Sequence, residues 1–254
     1  MTQHSSIKNL ALSLVNSDTE KEVVEVLKRY GFWESGEDIW KPYGGVNNNS
    51  GQIHAQSSDS TSALVEKLTN SGDSLLTLEA YKAGIDPKSN DAPKNMSEAL
   101  ELFFGYPNGN INEVSKDVVD KNLNNIGLIT SGSKEYPSYS IFDLGIGQTP
   151  DSLPKTILSL GESNKDQIPF LQGVFNQGGS AALNFCSSKH RLQLVISKQH
   201  PMVKDKDNSS NYYGVTIVRR ENPRTGHRNP FYTYLAPGGL ILRFKTDEMH
   251  ILPK

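Results

Sequence analysis

The last third of the sequence changes from helical to strand-like spacing, and this change constrains the fold more than any other feature. Four runs there are rich in β-branched and aromatic residues and are separated by turn residues: Leu192–Ser197, Tyr212–Arg219, Phe231–Leu235 and Leu240–Phe244. Such runs are typical of β-strands. Because the turns between them are local, the runs predict an antiparallel meander.

The first third carries apolar residues at helical spacing. Two helices are predicted over residues 7–31, and a longer one over 60–84, where Ser60 or Thr61 can cap the start and Gly84 can end the helix. Helical patterns also occupy Met96–Phe104, about 151–160 and about 179–188, with short strands at Ile126–Thr130 and Tyr139–Asp143.

Helices first and sheet last predict an α+β fold, a two-layer sandwich with helices packed on one face of a mainly antiparallel, mixed sheet. We expect a helical lead-in over residues 1–45 and the main domain over 46–254.

Charge and cysteine content exclude several classes of protein. The net charge of −2 gives no support to a nucleic-acid footprint across the whole domain, so DNA is a weakly supported partner. The basic residues around Arg219, Arg220 and Arg228 are interpreted as a solvated turn, with a phosphate-contacting patch as the alternative. The single cysteine, Cys186, excludes an internal disulfide and a multi-cysteine zinc site. With no secretory signal and no membrane-spanning run, a cytoplasmic location is expected.

Glu66, Asn70 and Asp73 share one side of the long helix because they are spaced four and three residues apart. A carboxylate there could activate a water, and an amide oxygen could hold a metal. The alternative is an ordinary solvated face.

Two glycine-containing segments follow. A predicted strand ends at Asp143, and Gly145 and Gly147 come directly after it; glycines there permit tight backbone conformations and close approach of a ligand. Further along, Gly173, Gly178, Gly179 and Ser180 run into a predicted helix, and amide groups at a helix start suit phosphate. Either segment could instead be an ordinary turn, and the nucleotide-binding pattern GxxxxGK[ST] is absent.

Taken in order, the three segments resemble the nucleotide-binding boxes of the GHKL ATPases, the superfamily of gyrase B, heat-shock chaperones, histidine kinases and MutL. ALVEKLTNSGDS at 63–74 resembles the N box, DLGIG at 143–147 the first glycine box, and GVFNQGGSAA at 173–182 the second. ILSLGESNKDQIPFLQ, between the two glycine boxes, resembles the ATP lid. The resemblance covers about residues 56–245 and implies the Bergerat fold of that family.

The resemblance also implies a role for each residue. Glu66 would be the general base, and Asn70 would hold Mg²⁺. Asp143 would bind the adenine amino group, with Asp73 bordering the adenine pocket. Gly145 and Gly147 would allow close approach of the base and ribose. The phosphate cradle would be shaped by Gly173, Gly178, Gly179 and Ser180, and the lid residue Lys165 would reach the terminal phosphate.

The chain departs from the family pattern in two places. The family often has Asp-Ala after the N-box asparagine, where this chain has Asp73-Ser74. The family also places a threonine on a late strand near adenine, and neither Thr216 nor Thr233 can be assigned to that position.

The implied activity is ATP binding with slow, Mg²⁺-dependent hydrolysis that acts as a conformational switch. The implied partners are a second copy of the chain, in a homodimer formed on ATP binding, and a partner protein or downstream effector domain. No room is left for a transducer domain, so we expect the N-terminal ATPase module of a longer or multi-component system. Restriction or anti-phage defence is the closest analogy. The alternatives are a module that senses ATP without hydrolysing it and a protein-interaction domain.

Overall fold

The computed structural model describes residues 3–34, 36–55, 59–160, 167–173, 178–186, 189–203, 209–223 and 229–245. Its helices are α1 (Gln3–Val15), α2 (Glu20–Arg29), α3 (Ser50–His54), α4 (Ser60–Lys82), α5 (Met96–Phe104), α6 (Lys116–Asn122) and α7 (Gly178–Ala181). Its strands are β1 (Trp40–Pro42), β2 (Ile126–Gly132), β3 (Pro137–Asp143), β4 (Gln193–Ser197), β5 (Tyr213–Glu221), β6 (Phe231–Leu235) and β7 (Leu242–Phe244). The chain is thus an α+β protein.

The main sheet has the order β1-β6-β5-β4, and β7 pairs with a second stretch of β5. Its recorded pairings are all antiparallel, as the strand-like runs predicted. β2 and β3 form a separate antiparallel ribbon that pairs Ile126 with Asp143 at one end and Gly132 with Pro137 at the other. Asp143 therefore lies at the very end of a strand.

Helices cover both faces of the main sheet, whereas the sequence led us to expect them on one. On one face, Val218 and Tyr232 belong to an apolar cluster with Leu153, Leu158, Ile53 of α3 and Leu183, which follows α7. On the other face, α1 and α2 bury Ile217 and Leu235 of the sheet, and α1 also packs near Val215 and Phe244. β5 is consequently buried on both sides.

The lead-in is held on the sheet by Arg219, which was expected to lie in a solvated turn. Arg219 is only 2% exposed, and its guanidinium stacks 3.7 Å from the Trp40 ring centroid and 4.8 Å from that of Trp33. The same group pairs with Glu221 and donates to the Trp33 carbonyl. The solvated-turn interpretation of Arg219 is therefore wrong, because the tryptophans of the lead-in fold over it.

The long helix α4 begins as predicted and ends within two residues of the prediction. Asp59 caps its start by accepting the Ser62 amide at 2.8 Å, and Gly84 follows its end with φ +74°. The helix predicted at about 151–160 is absent. A single 3₁₀ turn, Leu153–Lys155, stands there, and Leu153 and Leu158 are buried in the apolar cluster that covers the sheet.

No helix among the residues described is both long and apolar enough to cross a membrane.

Candidate functional site

The three segments singled out in the sequence meet at helix α4. α4 packs against the ribbon strand β3 on one side and against α7 on another. Two neighbouring residues of α4, Asp73 and Ser74, make the polar contacts with the glycine-containing segments. The helix therefore contacts regions that lie 69 to 100 residues away along the chain.

Asp73 holds the beginning of the second glycine segment. Its side chain is 1% exposed, and its two oxygens accept the amide hydrogens of Gln172 at 3.0 Å and Gly173 at 2.9 Å. A buried carboxylate needs such donors, because leaving its charge unsatisfied would be costly. Asp73 thus fixes the backbone of Gln172 and Gly173 against α4.

Ser74 holds the first glycine segment. Its hydroxyl donates to Asp143 Oδ1 at 2.9 Å, and the Gly145 amide donates to the same oxygen at 3.0 Å. The Ser74 carbonyl also accepts the Ile146 amide at 3.1 Å. Ser74 is the residue at which the chain departs from the family pattern, and here that departure supplies a hydrogen bond to Asp143.

Gly145 and Gly147 are required by contacts within the protein. A Cβ atom at Gly145 would lie 2.2 Å from Ser74 Oγ and 2.6 Å from the Ser74 carbonyl carbon. Gly147 has φ +60°, and its Cβ would lie 1.8 Å from the carbonyl oxygen of Lys198. Larger residues cannot occupy either position without moving backbone. The segment is therefore wedged between α4 and the chain that follows β4.

Glu66 and Asn70 are both half-buried on α4, one helical turn apart. Lys67, the neighbour of Glu66, is also half-buried. Burial lowers the pKa of the Lys67 amine from 10.5 to about 8, and electrostatic interactions with Cys186 and Glu66 oppose this shift. Burial raises the pKa of the Cys186 thiol, so that this cysteine lacks the thiolate character of a reactive residue.

Ser180, in α7, is 1% exposed and its hydroxyl is hydrogen-bonded to the side chain of Tyr43. Gly178 and Gly179 form the first turn of α7, and Gly173 lies where Asp73 holds the loop. Lys165 and residues 174–177 lie outside the described residues. The relation of Lys165 to a phosphate therefore stays a prediction.

The described residues contain no group of three or more His, Cys, Asp or Glu side chains that could hold a metal. A lone amide such as that of Asn70 suits Mg²⁺ only where phosphate and water supply most of the ligands. An open cavity of about 340 Å³ lies beyond the carboxyl end of α4 and is lined by Tyr81, Gly84, Ile85, Asp86, Met202 and Val203. It contains none of the predicted site residues.

Sequence reasoning missed two residues that organise this region. Ser74 was noted only as a departure from a pattern, because its contact with Asp143, 69 residues away along the chain, forms only in the fold. Tyr43 gave no signal, because it reaches Ser180 only through the fold.

Comparison of the chain with family models, curated proteins and solved structures yields no match.

Proposed function

We propose that the chain binds ATP where α4 meets the two glycine segments and hydrolyses it slowly with Mg²⁺. The observation that carries the proposal is the pair of neighbouring residues, Asp73 and Ser74, that hold both glycine segments against one helix. A nucleotide site of this kind needs a base-binding carboxylate and a phosphate loop at a fixed separation, and one rigid helix supplies that separation. The Bergerat arrangement of the fold is part of the same proposal.

Asp143 is suited to recognise an exocyclic amine. Its Oδ1 accepts from Ser74 and Gly145, and no described residue donates to its Oδ2. An ionised carboxylate has acceptor capacity on both oxygens, so the second can accept from adenine. Ser74 would keep the carboxylate in the orientation that presents this oxygen.

The second glycine segment is suited to phosphate. Asp73 accepts the amides of Gln172 and Gly173, so the start of this segment is held against α4. Backbone amides of glycine-rich loops bind phosphate oxygens well, because no side chain blocks their approach. Gly173, Gly178, Gly179 and Ser180 are the residues expected to shape this cradle.

Glu66 would act as the general base toward the attacking water, and Asn70 would contribute a ligand to Mg²⁺ bound with the phosphates. When bound, the metal neutralises charge that develops on the phosphate oxygens. The contribution of the protein is to place Glu66 one turn from Asn70 on a helix that cannot shift independently of either loop. ATP binding would act as a switch, read by a partner protein or a second copy of the chain.

The test is ATP hydrolysis by the wild type and by Glu66→Gln, with binding of a non-hydrolysable ATP analogue measured by calorimetry for both. Glu79→Gln is the matched control, because Glu79 lies on the same helix and forms a surface pair with Lys82. We expect Glu66→Gln to retain binding and to lose hydrolysis by at least about 100-fold, in line with the effect of removing a general base, and Glu79→Gln to keep both.

If the wild type binds and neither it nor Glu66→Gln hydrolyses ATP, the chain is a nucleotide sensor. Absence of any adenine-nucleotide binding by the folded wild type would refute the proposed function and leave the interaction-domain alternative.

A further inference from the structure

Three buried side-chain atoms near the start of β6 lack a hydrogen-bond partner among the residues that the structure describes. They are Asn184 Oδ1, Arg191 Nε and the hydroxyl of Tyr232, whose side chain is fully buried. Folded proteins pair nearly all of their buried polar groups, because an unpaired group keeps the cost of leaving water and gains nothing in return. Unpaired atoms on three neighbouring residues therefore indicate the position of a ligand.

Hydrogen bonds bring Asn184 and Arg191 together. Asn184 ends the 3₁₀ turn that follows α7, and its Nδ2 donates to the carbonyl of Ile53 in α3 at 2.8 Å. Arg191 Nη1 donates to the carbonyl of Leu183 at 3.2 Å and also to that of Asn184. The Arg191 guanidinium is thus fixed on the turn that carries Asn184, which leaves its Nε for another partner.

The sheet brings Tyr232 to the same place. Arg220 of β5 lies directly opposite Tyr232 of β6. The Arg220 amide donates at 2.6 Å to the carbonyl of His190, the residue before Arg191. The centroid of the Tyr232 ring lies 6.4 Å from that of His54, the last residue of α3. The contacts therefore form a closed circuit from α3 through the 3₁₀ turn, Arg191, β5 and β6 back to α3.

Positive charge in this circuit is not compensated. Neither Arg191 nor Arg220 forms an ion pair with any residue that the structure describes. Arg220 shares a sheet face with Tyr232, since directly opposite residues of an antiparallel pair lie on the same side. Burial raises the pKa of the Tyr232 hydroxyl, and the charges of Arg191 and Arg220 oppose the rise. The phenol consequently stays protonated at neutral pH and can donate a hydrogen bond.

The backbone of Arg191 has an unusual conformation. Its φ is +49°, in the left-handed region that residues other than glycine seldom adopt. Such strain persists only where surrounding contacts enforce it, and it is concentrated at binding and catalytic sites. The conformation of Arg191 is therefore a second observation, independent of the unpaired atoms, that points to a ligand here.

We propose that Asn184, Arg191 and Tyr232 form a binding site for inorganic phosphate. Near neutral pH a phosphate ion offers acceptor oxygens and at least one P–O–H donor. Its oxygens match Arg191 Nε and the Tyr232 hydroxyl, and its P–O–H group matches Asn184 Oδ1, which can only accept. Arg220 adds positive charge from the same face of the sheet. None of these residues belongs to the three segments used by the proposed function, so the inference does not depend on nucleotide binding.

Sulfate separates this site from a general cation cluster. It has the shape of phosphate but carries no proton at neutral pH, so it would leave Asn184 Oδ1 unpaired. Calorimetry in a buffer free of both ions, without nucleotide, measures the binding of each by the full chain. We expect phosphate to bind at least about tenfold more tightly than sulfate. Equal affinities would indicate an adventitious ion only, and no binding of either ion by the folded wild type would show that these atoms hold water; both results overturn the proposal.

Tyr232→Phe removes the unpaired hydroxyl and keeps the buried ring. We expect its phosphate affinity to fall at least about tenfold, because a hydrogen bond to a charged ligand is lost. Tyr43→Phe is the matched control, since Tyr43 is buried in the same apolar cluster but its hydroxyl already donates to the Ile157 carbonyl at 2.6 Å. The control should retain phosphate affinity within about twofold, and equal losses in the two variants would contradict a direct contact.

Thermal unfolding of the same variants detects damage to the fold. In the phosphate-free buffer Tyr232→Phe should melt no lower than the wild type, because its hydroxyl has no partner there to lose. Added phosphate should raise the melting temperature of the wild type and of Tyr43→Phe more than that of Tyr232→Phe, as binding to the folded state requires. An equal rise in all three proteins would refute the role of Tyr232.

Failure of the proposed function has a different signature. If the wild type binds phosphate but no ATP analogue, the phosphate site stands without the nucleotide site. If it binds the analogue but not phosphate, only the phosphate site is refuted.

Discussion

The Ser74 side chain decides how the Asp143 carboxylate is oriented, because its hydroxyl is one of two donors to Oδ1. We predict that Ser74→Ala weakens the proposed ATP binding about 5- to 30-fold, which corresponds to loss of a hydrogen bond to a charged group worth about 1–2 kcal/mol. Calorimetry with an ATP analogue measures this change.

Ser71→Ala is the control for Ser74→Ala. Ser71 is buried in the same helix, but its hydroxyl donates to the Lys67 carbonyl one turn back. Its loss should leave ATP affinity within about twofold, since such a bond stays within the helix. Equal affinity losses in the two variants would show that Ser74 acts through the helix and not through Asp143.

Lys67 predicts a specific dependence of stability on pH. Its pKa is lowered to about 8 in the folded protein, from an ordinary value of 10.5. Between pH 8 and 10.5 the Lys67 amine is protonated in the unfolded chain and neutral in the folded chain, so the free energy of unfolding rises with pH across this range. Below pH 8 the amine is charged in both states, and its burial lowers the free energy of unfolding.

Lys67→Met should therefore be more stable than the wild type at pH 7, by up to about 3 kcal/mol. The difference should shrink as pH rises through 8 toward 10.5. Urea unfolding of both proteins at pH 7, 8 and 10 measures it. A difference that stays constant across this range would show that the amine is not desolvated in the folded state.

Some residues of the site could be found from sequence and others could not. The helical spacing of Glu66, Asn70 and Asp73 and the strand end at Asp143 were predicted, because local periodicity determines them. The partners of Asp73 could not be predicted, since the Gln172 and Gly173 amides reach it only in the folded chain.

At the scale of elements, the turn at Gly147 depends on glycine because both its φ of +60° and the nearby Lys198 carbonyl exclude a side chain. We predict that Gly147→Ala destabilises the protein by at least about 3 kcal/mol, the combined effect of strain and overlap. Denaturant unfolding gives the free energy of unfolding.

Gly72→Ala is the matched control. Gly72 lies inside α4, and a Cβ there would meet nothing within 4 Å. Alanine is the better helix former by about 1 kcal/mol, so this variant should be more stable than the wild type. If Gly147→Ala proved as stable as Gly72→Ala, the packing of the first glycine segment against Lys198 would be incorrect.

Most helices and strands were predicted from residue spacing in the sequence, but the packing of helices on both faces of the sheet was not. The continuous run Gly214–Val218 in β5 is the pattern of a strand buried on both faces. Its significance was missed, because the meander as a whole suggested one exposed face. The 151–160 segment was predicted as a helix from its residue spacing alone, and the structure has a single 3₁₀ turn there. Tertiary contacts with the sheet decide the conformation there.

At the scale of the whole molecule, Arg219 joins the lead-in to the sheet. We predict that Arg219→Met lowers the free energy of unfolding by about 3–5 kcal/mol, since it leaves the Glu221 carboxylate without its cation and opens the space between Trp33 and Trp40. Urea unfolding followed by tryptophan fluorescence reports both effects.

Arg220→Met tests whether the effect belongs to Arg219. The Arg220 side chain is half-buried and forms no ion pair with any residue that the structure describes, so its replacement should cost less than about 1 kcal/mol. Similar losses of unfolding free energy in the two variants would mean that the positive charge of this strand, and not the stacking of Arg219 on the tryptophans, holds the lead-in in place.

The adjacency of Asp73 and Ser74 has a mechanical consequence. Successive side chains of an α-helix point about 100° apart around its axis. If α4 rotated as a rigid body, the two glycine segments held by Asp73 and Ser74 would therefore move in different directions. Any force that turns the helix would therefore move both glycine segments at the same time, in a fixed relation to each other.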